Sequence, residues 1–318
     1  MTMAIIAHAA APIELELATE RGLQTTAPQE WLQLLTTAGA DHVRIRGGAR
    51  GDQPRITSHG SAERPRYHVL GVLTSREQLQ LPGGVFSRND RAKLRDYFER
   101  LASEGPAGVT AERGRFGLTE RQFTAIHADL SQPLRIETKG RPIGEIVDQL
   151  RERCVHEIDV PRSLATLVVN DDVQMLTAGT GLALLLRERG YALQPIKPRG
   201  ADVEIHIVPL AAVEADDVWP VGWEADARPR ELAPKLFTQL NAEIAGYSLA
   251  EALAALAPRI GVPLFIDHHT LAEREIDADQ LQVSFARQRT YHKRVLDRLL
   301  FQARLKGELR VDEAGTVF

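Results

Sequence analysis

The feature that most constrains this chain is that its second half carries one pattern twice. Residues 140–150 read GRPIGEIVDQL and residues 246–256 read GYSLAEALAAL, and the two align without a gap at an offset of 106. Gly140 falls on Gly246, Ile143 on Leu249, Glu145 on Glu251, Val147 on Leu253 and Leu150 on Leu256. Apolar positions repeated at helical spacing specify one supersecondary unit used twice, each copy burying one helix face. The expectation is two repeat domains, 133–209 and 235–318, that superpose as two small sheets, each with two helices on one face. Residues 210–234 between them read as a linker, because Glu214, Asp216, Asp217, Glu224, Asp226 and Glu231 make them acidic and Pro220 and Pro229 punctuate them. Trp219 and Trp223 within that linker imply that part of it packs on a neighbour.

Both copies read β-α-β-β-α-β-β. In the first, Leu134, Ile136 and Thr138 alternate as a strand, and Ile143, Ile146, Val147 and Leu150 form the stripe of helix one. Strands follow at 155–160 and 173–176. Thr180 opens a second helix with Leu182, Leu185 and Leu186 inward, and 191–196 with 203–208 make a hairpin around Lys197–Gly200. In the second copy, Ser248-x-x-Glu251 is a capping box before the stripe Leu249, Ala252, Leu253 and Leu256. A strand at 262–266 and one through Val283 and Phe285 follow. Thr290 caps a helix carrying Leu296, Leu299, Leu300 and Ala303, and 305–311 with 316–318 close a hairpin.

Ahead of the repeats, residues 1–26 read as an irregular leader in which Ala7-His8-Ala9-Ala10 has the small-x-small look of a signal-peptidase site. It reads either as the remnant of a signal peptide or as a flexible tail. Residues 27–130 read as a small α/β domain. Trp31, Leu34, Leu35 and Ala38 mark a helix over 27–38 stopped by Gly39, and a strand follows at 42–46. The Gly-, Arg- and Ser-rich stretch 47–65 reads as a long exposed loop, followed by strands at 67–73 and 77–81. Ser87 and Asp90 start a helix whose Leu94, Tyr97, Phe98 and Leu101 share a face up to Gly105; 105–118 is loop-like, and Thr119-x-x-Gln122 opens one more helix with Phe123, Ile126 and Leu130. The fold class is α+β.

Bulk composition excludes several roles. A net charge of −4 rules out a chain that is basic throughout and seeks nucleic acid or anionic lipid, so nucleic acid is not an expected partner. One cysteine, Cys154, cannot form an internal disulfide, and no run of 18 apolar residues is available to span a bilayer.

No catalytic motif stands out: G-x-S-x-G, a Walker loop, C-x-x-C and H-E-x-x-H are all missing. Asp267-His268-His269 is the densest group of ligand-type residues, but adjacent histidines on a strand end point apart, and a metal would need a distant ligand such as His292. His156-Glu157-x-Asp159 reads as a half-buried histidine beside solvated acids. Gly179-Thr-Gly181 lacks the third glycine of a nucleotide loop, so it reads as a plain helix start. Cys154 reads as a small core residue. No metal, cofactor or catalytic residue is therefore expected.

The phrase GYSLAEALAALAPRIGVPLFID, more loosely GRPIGEIVDQLRERCVHEIDV, and the later Val295–Lys306 run VLDRLLFQARLK resemble the secretin and TonB short N-terminal domain. The resemblance covers the second repeat well and the first moderately, and does not reach residues 1–130. It implies a non-enzymatic envelope module, periplasmic or exported, that docks onto proteins or peptides by edge-strand pairing; without that resemblance the location would read as cytoplasmic. Full members carry a pore or barrel after this module, and the chain stops at Phe318, so no channel role is expected. The expected contact is the last hairpin, with Val311, Val317 and Phe318 supplying apolar surface. Two alternatives stay open: a hydrolase with its site between 27–130 and the first repeat, and a polyanion-binding module using the Arg-rich stretch 44–66, above all Arg50, Arg55 and Arg64.

Overall fold

The computed structural model describes residues 11–23, 26–61, 64–198 and 201–318. The small-x-small motif at Ala7–Ala10, Glu63, and Arg199 and Gly200 of the second-helix hairpin lie outside them. The chain is a mixed α+β protein with three sheets among the described residues, and it divides into two compact units. One runs up to Arg113 and includes Pro198–Asp202; the other comprises Gly114–Lys197 and Val203–Phe318.

In the first unit, the Ile-Glu-Leu-Glu-Leu alternation at 13–17 builds strand β1 (Ile13–Thr19), with Ile13, Leu15 and Leu17 buried. Helix α1 (Ala27–Ala38) follows, and Gly39 ends it in the left-handed conformation. β1 then lies parallel between β2 (His42–Gly47) and β4 (Arg64–Leu73). Residues 13–19 therefore belong to the centre of a sheet and not to a leader. The expected long loop is corrected as well: β3 (Arg55–Ser61) pairs antiparallel with β4, Ile56 opposite Val69. Its apolar signal is the single Ile56, so the period-2 pattern had too few points to show. β5 (Leu79–Leu81) and β6 (Gly84–Phe86) complete the sheet. Helix α2 (Arg91–Glu104) buries Leu94, Tyr97, Phe98 and Leu101, with Asp90 at its N-cap accepting from Ser87, and α3 (Pro106–Thr110) follows.

The second unit begins with α4 (Glu120–Leu130), opened by the Thr119/Gln122 capping box. Leu118, Ile126 and Leu130 pack into the core of the following segment. The boundary expected near 130 thus falls at 113. Helix α5 (Ile143–Arg151) buries Ile143, Ile146, Val147 and Leu150; β7 (Ile158–Asp159), α6 (Arg162–Ala165), α7 (Ala178–Glu188), β8 (Tyr191–Ile196) and β9 (Glu204–Pro209) follow. β7 pairs parallel, and β8 antiparallel, with β9. The strands expected at 134–138 and 173–176 reduce to an isolated bridge, Pro133 to Thr177, and the strand at 155–160 to the two residues of β7. The cause is local. Arg135 takes φ 51°, which breaks a strand, and the Thr138 hydroxyl replaces ladder bonds by donating to Asp171 O and accepting from Val173 N.

The acidic stretch holds only short turns, among them α8 (Pro229–Leu232), and its Trp219 is 2% exposed in the core of the preceding segment. It is part of the unit and not a free linker. β10 (Gln239–Ser248) leads through the Ser248/Glu251 capping box into α9 (Leu249–Ile260), then α10 (His268–Glu273), β11 (Gln282–Tyr291) and α11 (His292–Gln302). β10 and β11 form a two-stranded antiparallel ribbon, Gln239 opposite Tyr291. Residues 262–266, expected as a strand, have no ladder among the described residues, and Tyr291 rather than Thr290 is the N-cap of α11.

The repeated positions fall on matching structure. α5 and α9 start 106 residues apart, and the aligned stripes are all buried. Gly140 and Gly246 both have positive φ, 79° and 74°. The sheets differ: three strands in the first segment, a ribbon in the second. Two equivalent sheets were expected, and regular strands form on different elements in each.

Candidate functional site

The last hairpin does not offer a free edge at Val311. That residue bridges Trp223 on one side and Val317 on the other, and Arg310 and Phe318 exchange backbone bonds of 3.0 and 2.9 Å. Phe318 packs edge-on against Phe265 at 5.9 Å. The turn between these strands holds two acidic residues with partners far along the chain. Glu313 accepts from the indole N–H of Trp219, from Trp223 Nε1 at 3.3 Å, and from the hydroxyls of Thr177 and of Thr180, the latter at 3.0 Å. Asp312, 3% exposed, accepts from Thr177 N at 3.1 Å. Carboxylates at a helix N-terminus satisfy its orphan N–H groups and complement its dipole. The hairpin therefore caps α7, and the Gly179-Thr-Gly181 helix start is filled by protein. Around it Phe116 and Phe123 stack on Trp219, Trp223 meets Trp219 edge-on, and His127 tilts against Trp223, with the Arg115 guanidinium 4.9 Å from the Trp223 ring centroid. Glu313 carried no local sequence signal, since its partners lie 90 to 136 residues away.

The ribbon is where backbone pairing stays open. Among the described residues β10 and β11 have only each other as ladder partners. On β11 one position is occupied by a side chain: Ser284 N donates to Gln302 Oε1 at 3.1 Å and Gln302 Nε2 donates to Ser284 O at 2.9 Å. This carboxamide satisfies both backbone groups, as a neighbouring strand would. Gln302 also lines an open cleft of about 740 Å³ with Arg274, Asp277 and Arg304. β11 carries Arg287 and Arg289, both exposed, and no acidic residue. The exposed Tyr247 and Tyr291 sit on the same ribbon.

The histidines do not converge. Asp267 N-caps α10 through Thr270 and pairs with Arg187 at 2.9 Å; His268 lies 3.8 Å from Asp171, His269 3.3 Å from Glu273, and His292 contacts Lys235 O at 3.1 Å. No group of three metal-ligating side chains exists among the described residues. Burial raises the Asp171 carboxyl above its ordinary range. At Asp267 burial pulls the same way, but the Thr270 N–H and hydroxyl and Arg187 outweigh it and hold the carboxyl low. His156 Nδ1 sits 2.7 Å from the buried Asp129, which also accepts from Val155 N and His156 N. Burial, then the Asp129 charge, pushes the neighbouring Cys154 thiol up to about 11, so it is no thiolate nucleophile near neutrality.

Of the arginines singled out in the sequence, Arg50 lies in the turn after β2, Arg55 on β3 and Arg64 on β4, all exposed. Arg46 is engaged with Glu16 and Asp52 and holds the Asp52 carboxyl down at about 2.

No family model, no curated protein and no solved structure matches this chain. No helix of the described residues is long and apolar enough to cross a membrane.

Proposed function

We propose that the chain is a non-enzymatic docking protein of the bacterial envelope, in which 133–209 and 235–318 are two copies of a module like the secretin and TonB short N-terminal domain. The matching starts of α5 and α9, their aligned buried stripes and the paired glycines support the repeat. One observation carries the docking reading: a ten-residue strand, β11, paired on one side by β10, whose Ser284 N–H and C=O are both taken by the Gln302 carboxamide. An exposed edge templates an added strand, and main-chain bonds give the affinity. The partner is an extended, acidic protein segment, because β11 offers Arg287 and Arg289 without a counter-charge of its own. It lies along β11 and displaces the Gln302 side chain.

Binding of a fluorescent polyglutamate-containing β-strand peptide to the whole chain tests this. Arg287→Glu with Arg289→Glu should weaken it about ten-fold or more, while Gln302→Ala should leave it equal or tighter. Hydrogen exchange should show new protection in β11. Protection appearing elsewhere with β11 unchanged, or loss of a hydrolytic activity on changing His268 and His269 to Ala, would sink the docking reading.

A further inference from the structure

The first unit's sheet has two unlike faces. Leu15, Leu17, Tyr67 and Val69 point into the core with α1 and α2, and Val43, Ile45 and Ile56 pack on the same side. By strand alternation the opposite face carries Arg44 and Arg46 from β2, Arg55 from β3, and Arg64 and Arg66 from β4. Registers put these in bands: His59 opposite Arg66, Thr57 opposite His68, and Arg44 beside Glu16. Glu16 is already bound by Arg46. Within the described residues none of Arg44, Arg55, Arg64 and Arg66 has a carboxylate within 4.0 Å, and all four are exposed. Within the stretch that reads in sequence as a solvated loop, Arg55–Ser61 is thus a strand of this sheet. Arg44 and Arg46 on β2, and Arg64 and Arg66 on β4, stand two residues apart, about 7 Å along the strand, while Arg55 on β3 lies across from Leu70, and Glu14 and Glu16 of β1 share the face.

We infer that this face binds a linear polyanion of the sulfated or phosphorylated glycan class. Charge complementarity carries the choice: the five arginines of this face outnumber its two carboxylates, Glu14 and Glu16, and Arg is suited to sulfate and phosphate forks. A single-stranded nucleic acid fits less well, because base stacking needs aromatic platforms and the face holds no Phe, Tyr or Trp among its described residues. This face belongs to the first unit and the β11 edge to the second.

The test is fluorescence anisotropy of a labelled heparin oligosaccharide with the whole chain, at several salt concentrations. Affinity should fall steeply with salt, and Arg55→Gln, Arg64→Gln and Arg66→Gln together should lower it at least about ten-fold and reduce the log–log salt slope by about two to three. Arg294→Gln with Arg298→Gln, on α11, should change nothing, and the triple variant should melt like the parent because its residues are exposed. Absence of binding at low salt would overturn the inference. So would a triple variant that binds as the parent does, or an oligothymidylate of matched charge that binds about ten-fold tighter than the oligosaccharide.

Discussion

Residues 133–177 and 239–291 both run from an extended entry through a buried helix to the start of a second helix, yet only the latter closes its entry and exit with a ladder, one that runs from Gln239–Tyr291 to Ser248–Gln282 with bulges around Ile244. In both, the pair that precedes the second helix is present: Pro133 with Thr177, and Gln239 with Tyr291. After it the first segment turns away at Arg135 and lets Thr138 and Asp172 side chains hold the backbone, whereas the second continues along ten-residue strands. The regular sheet of the first segment sits instead at β7, β8 and β9, where the second has residues 262–266 and the short bridge of Val311 and Val317. The helix stripes are the fixed part of the pattern. Strands satisfy backbone groups that side chains can satisfy as well, so they drift more freely.

The largest losses are expected at the helix stripes. Leu150→Ala and Leu256→Ala should each cost about 2–5 kcal/mol, the usual range for a buried leucine. Because both helices belong to one compact unit, denaturant unfolding of either variant should remain a single shifted transition for that unit. Two separated transitions would restore independent domains. A smaller effect tests the side-chain substitute for the ladder. Thr138→Val should cost about 1–3 kcal/mol by stranding the Val173 N–H. Ile244→Val, at the aligned ribbon position, should cost no more than about 1.5 kcal/mol by the same titration.

Gly140→Ala and Gly246→Ala sharpen the equivalence further. Neither added methyl group would meet an atom within 4 Å, so only the left-handed backbone is charged, about 1 kcal/mol in both. Unequal losses would show that the matching φ values are coincidental. The smallest effects concern the two ion pairs that link the segments crosswise, Arg187 with Asp267 and His268 with Asp171. Asp267 is held below its ordinary 3.8, so its stabilisation is present above that value and lost as pH falls through the folded one. Asp171 is raised above 3.8, chiefly by burial, so its penalty is present at neutral pH and relieved on acidification. Asp171→Asn should therefore raise the denaturation midpoint near neutrality while Asp267→Asn lowers it, and both differences should shrink as pH falls below 3.8.

The elements legible in the sequence are those whose signals are local. The stripes of α5 and α9, the capping boxes at Thr119 and Ser248 and the glycine stop at Gly39 all rest on residues a turn or less apart. β1 was legible too, as its Ile-Glu-Leu-Glu-Leu alternation shows, but it follows the Ala-rich start that reads as a leader. β3 is polar on nearly every position, and nothing local distinguishes it from the loop that its Gly and Ser content predicts. The candidate docking edge depends on Gln302 reaching Ser284, and the capping of α7 on Glu313 reaching Thr177; neither pairing leaves a mark in sequence spacing.

The capping of α7 also bears on the order in which this chain acquires its structure. Thr177 and Thr180 reach Glu313 across 136 and 133 residues, so the contact closes one of the longest loops in the molecule. Such contacts raise contact order and slow folding, because loop closure must precede the reward. During synthesis α7 is complete long before residues 312 and 313 leave the ribosome, and until then its N-terminal amides and the Trp219 indole must be held by water. Asp312 and Glu313 therefore set when the start of α7 can lose its water: its native polar contacts wait for residues made more than 130 positions later.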